Sequence, residues 1–556
     1  MSKKRKALKI IGIVLASIAG FCVVCHGALM TWIRVTDNND IPLFIHNGIK
    51  SLFFIDNEND EVKEFKTKVG GVMRGVCHPH DEPVTLQKME EANINWVRYD
   101  LPGFSPIQLD ENYDPIIVDG EYVPSLTFVK FLEESEYFKT FNQKLLIITP
   151  GLEDMLENVG ESDVFKFGGE FSEKFINYSK ICARFYAEKL STIASGFQIC
   201  NETEIPKWRG ALTTEQVVYF IGDVMMKEMH DTCAKNNCVI GFNQSMLGNY
   251  KLANGLTEKY SQYFDYVGVD LYPGSFEPYL KFMWVNDFYV KYLYYVTRKP
   301  IIITEFGYIG HGESKSDDEK EQYLRNTFGE RFDTEDKIKN DFVNFLGVFN
   351  IVSRTAVATS KIEEIEFQLN SDKYTEEEKV RILNQVQPFT NVEDMKKDKL
   401  GLLAAYERNS KLDKTCGLIS ESYRIMQAGG YSKESIDEAI DFFFLHGKSH
   451  LYKTCDSSIG LIGYDHTEEG QAKYLRDFVR RISKKKYVCG FFVYHLLEDN
   501  YCYECGQDGC PVETGWGLMR IQTGTTYHFD SSDIVLKQSY YAIKEVYGEL
   551  KNADSK

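Results

Sequence analysis

Pro300-Ile-Ile-Ile-Thr-Glu-Phe-Gly307 decides how this chain is read. Three consecutive β-branched residues, followed by a carboxylate and a glycine, have the pattern of a strand buried on both faces, as in a parallel sheet. Taken alone, Glu305 could cap a following helix or pair with an arginine. Ser195-Gly-Phe-Gln-Ile-Cys-Asn-Glu202, about a hundred residues upstream, is a second apolar run that finishes in a carboxylate. If both runs belong to one parallel barrel, their C-terminal ends share a rim, and that rim is where such barrels carry their chemistry. Two carboxyl groups facing one another across a pocket are the minimal equipment for breaking a glycosidic bond.

The segments around these two runs alternate in the way a barrel requires. Strands are expected at Val69–Cys77, Asn95–Asp100, Lys144–Pro150, Gly196–Asn201, Cys238–Asn243, Phe264–Asp270, the Glu305 run and Tyr487–His495. Helical patterns lie between them. Thr213 and Gln216 have capping-box spacing, and Val217, Phe220, Ile221 and Val224 recur at i, i+3, i+4 and i+7. Leu475, Phe478, Val479 and Ile482 form a second stripe, and Ile543, Val546, Tyr547 and Leu550 a third. Eight such pairs predict an α/β fold, a (β/α)8 TIM barrel. An open doubly wound sheet is the alternative, and no glycine-rich phosphate loop supports it.

Residues 311–465 break the rhythm. They are charged and mostly helical in pattern, and are read as a helical insertion after the seventh strand, with a separate helical domain as the alternative. The barrel would then occupy 68–310 and 466–556.

At the other end, residues 10–33 contain no Asp, Glu, Lys or Arg, and Lys3, Lys4, Arg5, Lys6 and Lys9 precede them. A run of this length can cross a bilayer, and the basic flank would keep the N-terminus on the cytoplasmic side. Residues 1–34 are therefore expected to form a basic tail and a single-pass transmembrane anchor, with the catalytic part extracellular or lumenal; a cleaved signal peptide is the competing reading. Residues 35–67 read as a stalk.

Composition narrows the partners. The 556 residues are 43% hydrophobic and 14% aromatic, which excludes general disorder. The formal charge is −18, and because residues 1–34 hold six basic residues and no acid, the remainder carries −24. That argues against nucleic acid as a partner. Oligomeric state is not legible. Among the 13 cysteines, Cys233 and Cys238 flank a turn and could bridge in an oxidising compartment. Cys502, Cys505 and Cys510, near His495 and His528, could form a loop disulfide, remain thiols or contribute to a zinc site, but no fourth cysteine completes a metal pattern. No metal or cofactor is expected. Trp208, Trp284 and Trp516 are candidate stacking platforms, with core packing the preferred reading for Trp284.

Over residues 69–310 and 466–550 the chain resembles the clan A retaining glycoside hydrolases. The resemblance rests on Trp96-Val-Arg98, Asn201-Glu202, Asp270-Leu-Tyr272-Pro273, Thr304-Glu305-Phe306-Gly307 and the segment Gly490–Asn500, in that order. Carried over, it implies a carbohydrate substrate, Glu202 as general acid/base and Glu305 as nucleophile. It also implies Asn201 as the residue that binds the sugar 2-hydroxyl, with Arg98 and Tyr272 holding the nucleophile. Thr203 stands where the group commonly has proline, and Tyr494 or His495 where it commonly has tryptophan. Asp499-Asn500 and Thr514–Leu518 are similar to the tail of the family 1 β-glycosidases. His78 and His80 end the first strand; His78, Tyr494 and His495 are expected around the sugar. A glycan-binding barrel without turnover and a transglycosylase are the alternative functions.

Overall fold

The computed structural model describes residues 40–55, 57–245, 251–273, 282–310, 375–397, 461–498, 515–522 and 531–554. Shorter stretches between 362 and 370, at 402, 432, 501–502 and 507–508 are also described. Eight parallel strands close into a barrel, each paired with its neighbours in chain order and the last with the first. They are β1 Met73–Cys77, β2 Trp96–Asp100, β3 Lys144–Ile148, β4 Gly196–Gln198, β5 Val239–Ser245, β6 Tyr266–Leu271, β7 Ile301–Phe306 and β8 Val488–Val493. The outer ring contains α1 Pro83–Glu91, α2 Leu126–Thr140, α3 Glu173–Leu190, α4 Thr214–Tyr219, α5 Lys251–Tyr260, α6 Trp284–Thr297, α7 Glu468–Ile482 and α8 Gln538–Asp554. The (β/α)8 expectation therefore holds.

The helical stripes read from the sequence face the core. Val217, Phe220, Ile221 and Val224 are buried, as are the stripes of α7 and α8. The Thr213 capping box forms as expected, with Thr213 Oγ1 accepting from Gln216 N and Gln216 Oε1 accepting from Thr213 N. α4 continues without a break into a π-helical stretch, Phe220–Met226, and a further helix, Lys227–Lys235.

Several boundaries differ from expectation, each for a physical reason. β1 begins at Met73, because a helix over Asp60–Val69 ends in left-handed glycines, Gly70 (φ 81°) and Gly71 (φ 99°). The described part of the stretch read as a stalk, 40–55 and 57–67, instead belongs to the folded body. Asp40–Phe53 is helical, and Asp60–Val69 buries Val62, Phe65 and Val69 across the N-terminal end of the barrel. Lys144 Nζ donates to the Val69 carbonyl there, and the Phe65 ring lies 6.0 Å from that of Tyr266. Trp284, at the start of α6, is 55% exposed and does not pack in the core. Cys233 and Cys238 are both buried as free thiols. The side chains of Cys502, Cys505 and Cys510 lie outside the described residues.

Among the described residues no helix is long and apolar enough to cross a membrane. Residues 10–33 lie outside the described set. Within 311–465, Glu376–Asn384 and Val392–Lys397 are helices. Ile362, Ile365, Val386, Met395 and Leu402 form a small apolar cluster separate from the barrel core. The Tyr308 hydroxyl accepts from Leu461 N and donates to the Tyr464 carbonyl. One side chain thus ties the point where the chain leaves the barrel to the point where it returns, next to the end of β7.

Replacing Phe65 by alanine tests whether the 60–69 helix belongs to the cooperative fold. Loss of roughly 3–5 kcal/mol in chemical denaturation is expected from emptying an aromatic site; a stalk residue would show no change.

Candidate active site

The site grows out of an irregularity in β7. Register between β6 and β7 shifts between Val269 and Asp270, so that Asp270 stands opposite Glu305 where Val269 stood opposite Ile303; β7 and β8 shift at the same level. A bulge sets two residues of one strand against one of its partner and re-aims their side chains. Here it lets Thr304 and Glu305, neighbours in sequence, both serve the barrel mouth. Thr304 Oγ1 donates to Asp270 Oδ1 at 2.6 Å, and Glu305 stands at the rim. Gly268 makes room for this arrangement, since a Cβ there would meet Thr304 and Asn243 side-chain atoms at 2.7 and 2.8 Å.

Both oxygens of Glu305 are held. Arg98 Nη1 donates to Oε1 at 2.5 Å and the Tyr272 hydroxyl to Oε2 at 2.5 Å. Arg98, 2% exposed, also donates to Gln198 Oε1 (2.9 Å), Asn201 Oδ1 (2.7 Å) and Cys77 Sγ (3.8 Å). Burial by itself would push the guanidinium down, but the charges of Glu305 and Asp270 around it hold it well above its ordinary value.

Asn201 Oδ1 accepts three bonds, from Arg98, from Gln198 Nε2 (3.1 Å) and from Asn243 Nδ2 (2.8 Å). That fixes the orientation of the amide. Its Nδ2 is left as a donor without a partner among the described residues.

β4 stops after Gln198 because the chain turns through left-handed conformations at Cys200 (φ 56°) and Glu202 (φ 43°). Glu202 N donates to Asn243 Oδ1 at 2.9 Å, which anchors the turn to β5. The Glu202 carboxyl makes no hydrogen bond among the described residues. Although part of its surface opens to the cleft, it lies deep among protein atoms. Burial, then the neighbouring charges of Asp270 and Glu305, push it well above the usual carboxylate range. Two acids on one rim thus have opposite surroundings, one clamped by donors and one without a donor at its carboxyl among the described residues.

Asn201, Glu202, Arg98, Tyr272 and Glu305 are therefore brought into one network. The other expected residues sit at its edge. His78 is at the end of β1 in a left-handed conformation (φ 48°), its ring edge-on to Tyr494 at 5.3 Å. Tyr494 and His495 follow β8, joined by a cis peptide bond. Burial, and then the nearby His78 and His80, push the His495 imidazole well below its ordinary value. The Tyr272 ring meets Tyr494 at 5.8 Å and Trp516 at 5.2 Å, both edge-on. Trp516, expected as a possible platform, is 1% exposed and supports Tyr272 from behind.

Sequence reading missed the floor of the site: Gln198, Asn243, Thr304 and the buried Asp270. Each is a polar residue inside or at the C-terminal end of an apolar strand, which is the signal that could have found it. It also missed the support of Trp516. Lys537 Nζ pairs with Glu498 Oε1 at 2.7 Å in the interior, Glu498 Oε2 accepts from Gly517 N, and Gln471 Nε2 donates to the Gly515 and Trp516 carbonyls. Among the described residues no group of acids, histidines and cysteines is placed to hold a metal ion.

No family model matches the chain, and no curated protein matches it. Solved structures similar to it include glycoside hydrolases. The β-D-glucuronidase of Dictyoglomus thermophilum shares 10% identity over 86% of this chain and 51% of its own, with a TM-score of 0.37. This chain thus spans about half the length of that enzyme. A family 5 mannosidase from Rhizomucor miehei shares 10% over 87% and 94%, TM-score 0.37. The hyperthermophilic β-glucosidase of Pyrococcus furiosus shares 11% over 84% of each chain, TM-score 0.38. Likeness this distant leaves the chemistry to the side chains themselves.

Glu204, 2% exposed, sits two residues beyond Glu202 and accepts from Ser245 N. Burial pushes its carboxyl up to about 7. A folded-state value above the unfolded one means that its stabilising contribution is complete below about pH 4.5 and is lost as pH rises through about 7. Urea denaturation at pH 5 and at pH 7.5 should therefore show a steeper loss of stability in the wild type than in Glu204→Gln. The difference is expected to be roughly 2 kcal/mol.

Proposed function

We propose that the protein is a retaining β-glycosidase that hydrolyses O-glycosidic bonds of a glycan by double displacement. The observation that carries this reading is the contrast between the two rim acids. Glu305, with both oxygens held by Arg98 and Tyr272, has the orientation a nucleophile needs. Glu202, whose carboxyl has no hydrogen bond among the described residues and is pushed up by burial and by Asp270 and Glu305, keeps the proton that a leaving group must receive.

In the first half-reaction Glu305 attacks the anomeric carbon while the glycosidic bond breaks, and the Glu202 proton passes to the departing oxygen. A glycosyl ester on Glu305 results. In the second half, Glu202, now a carboxylate, takes a proton from water as that water attacks the same carbon, and Glu305 leaves. The Nδ2 donor of Asn201, which has no partner among the described residues, is suited to a sugar hydroxyl. No step calls on a metal or cofactor. We further propose that the apolar, uncharged run 10–33 anchors the enzyme in a bilayer, with the barrel on the extracellular or lumenal side.

A 2-deoxy-2-fluoro aryl glycoside, which accumulates the glycosyl ester, is the direct test. One sugar should be added to the peptide containing Glu305 and none to the Glu305→Gln variant. A chain that only binds glycans would gain no mass on either, and a sugar found on another acid would also overturn the assignment.

The proton role of Glu202 has its own readout. Glu202→Gln should slow substrates with poor leaving groups by roughly 10²–10⁴-fold, while sparing the first step of dinitrophenyl glycosides, which need no proton. In the wild type, kcat/KM should fall on the alkaline side as Glu202 loses its proton, and this limb should vanish in the variant. Tyr272→Phe removes one hydrogen bond to a carboxylate and should cost about 10–100-fold in kcat/KM, the equivalent of ~1.5–3 kcal/mol.

A further inference from the structure

The end of the barrel opposite Glu202 and Glu305 carries an apolar face without a cover among the described residues. In the helix Asp40–Phe53, Gly48 and Ser51 are turned inward, the former against Phe288 of α6. Ile49, Leu52 and Phe53, spaced i, i+3 and i+4, are 42%, 59% and 84% exposed, and Ile55 just beyond is 75% exposed. A soluble surface seldom spends four large apolar side chains on one patch.

Beside this patch lies a cationic one. Asn57, Arg481, Lys484, Lys485 and Lys486 line a depression of about 520 Å³ together with Asp287. Asp287 takes up Arg481 and lies 3.7 Å from Lys485. Lys484 and Lys486 stay exposed and have no carboxylate partner among the described residues. In a chain that is otherwise strongly acidic, such clustering beside exposed Leu, Ile and Phe matches what an interfacial helix presents to lipid.

Chain length supplies the occupant. Six residues separate Ile33 from Asp40, and the resulting seven steps of roughly 3.5 Å reach about 25 Å at most. If residues 10–33 cross a bilayer, the helix at 40–53 has to lie close to its surface. Asn59 Nδ2 donates to the Arg298 carbonyl just before β7, and Lys66 Nζ to the Lys486 carbonyl just before β8, so this surface is the N-terminal end of the barrel.

We propose that Ile49, Leu52, Phe53 and Ile55 rest in the headgroup boundary of the anchoring bilayer while Lys484 and Lys486 meet lipid phosphates. The barrel then stands on its N-terminal end with the catalytic rim turned away from the membrane. This inference rests on the anchor reading above and adds an orientation to it. It also restricts the substrate class: the bonds within reach belong to soluble glycans or glycans standing well clear of the surface, and not to sugars attached directly to membrane lipids.

The test uses the full chain in phosphatidylcholine vesicles containing a lipid with a diazirine near the glycerol end of its acyl chain. Cross-linked peptides are mapped by mass spectrometry. Label in both 10–33 and 49–55 is the expected result, and the Leu52→Ser/Phe53→Ser variant should lose the second label and keep the first. Label in 10–33 alone, or in the rim segments around His78 and Tyr494, overturns the proposed orientation and leaves the anchor standing. Label in 49–55 without 10–33 supports the face and overturns the anchor. Absence of both overturns the two together.

Discussion

A guanidinium in the floor of the barrel is the constraint on which the site depends. Removing Arg98 from water would cost several kcal/mol if its donors and charge went unanswered. They are answered by Glu305, Asn201 and Gln198, which come from β7, the turn after β4, and β4 itself. Satisfying one buried cation therefore fixes the nucleophile candidate and the Asn201 amide in the same operation. Asn243 extends the arrangement by donating to Asn201 and Asp270 and accepting from the backbone of Glu202. Displacing any member would leave another polar group unpaired in a low-dielectric interior, where that is most costly.

Glu202, Asp270 and Glu305 lie close enough to affect one another, and Arg98 is the cation at their centre. Three negative charges facing one positive charge favour holding protons on part of the group. Burial and then Glu305 push Asp270 up in the same direction as Glu202. The proposed acid/base division of labour is in this sense a property of the cluster, in which Arg98 is the one cation that acts on Glu202 and Asp270 among the described residues.

Support for the rim reaches far from the chemistry. Gly307 admits Trp516 and the Tyr494 carbonyl, each within 2.8 Å of where a Cβ would sit. Trp516 braces Tyr272, and the loop carrying Trp516 is held by the buried Lys537–Glu498 pair and by Gln471. Tyr308 closes the root of the insertion beside the same strand. The insertion can therefore leave and re-enter the barrel without disturbing the position of Glu305.

The eight strands were legible because a buried strand is apolar over its length, and the helices because the core accepts one stripe at a period of 3.6. Glu202 and Glu305 stood out as acids at the ends of such strands. The 60–69 helix was not legible as part of the body: its three buried residues, Val62, Phe65 and Val69, are scattered among charges, and only the open end of the barrel gives them something to cover. Nor could the sequence show that Trp516 faces inward and Trp284 outward, since an indole suits either setting. The sequence by itself thus determined the order of the elements and which residue types each places at the rim, because these depend on local periodicity. The tertiary structure alone decided which polar groups meet, through the bulge at Thr304–Glu305 and the burial of Arg98, because those partnerships join residues about 100 to 200 positions apart.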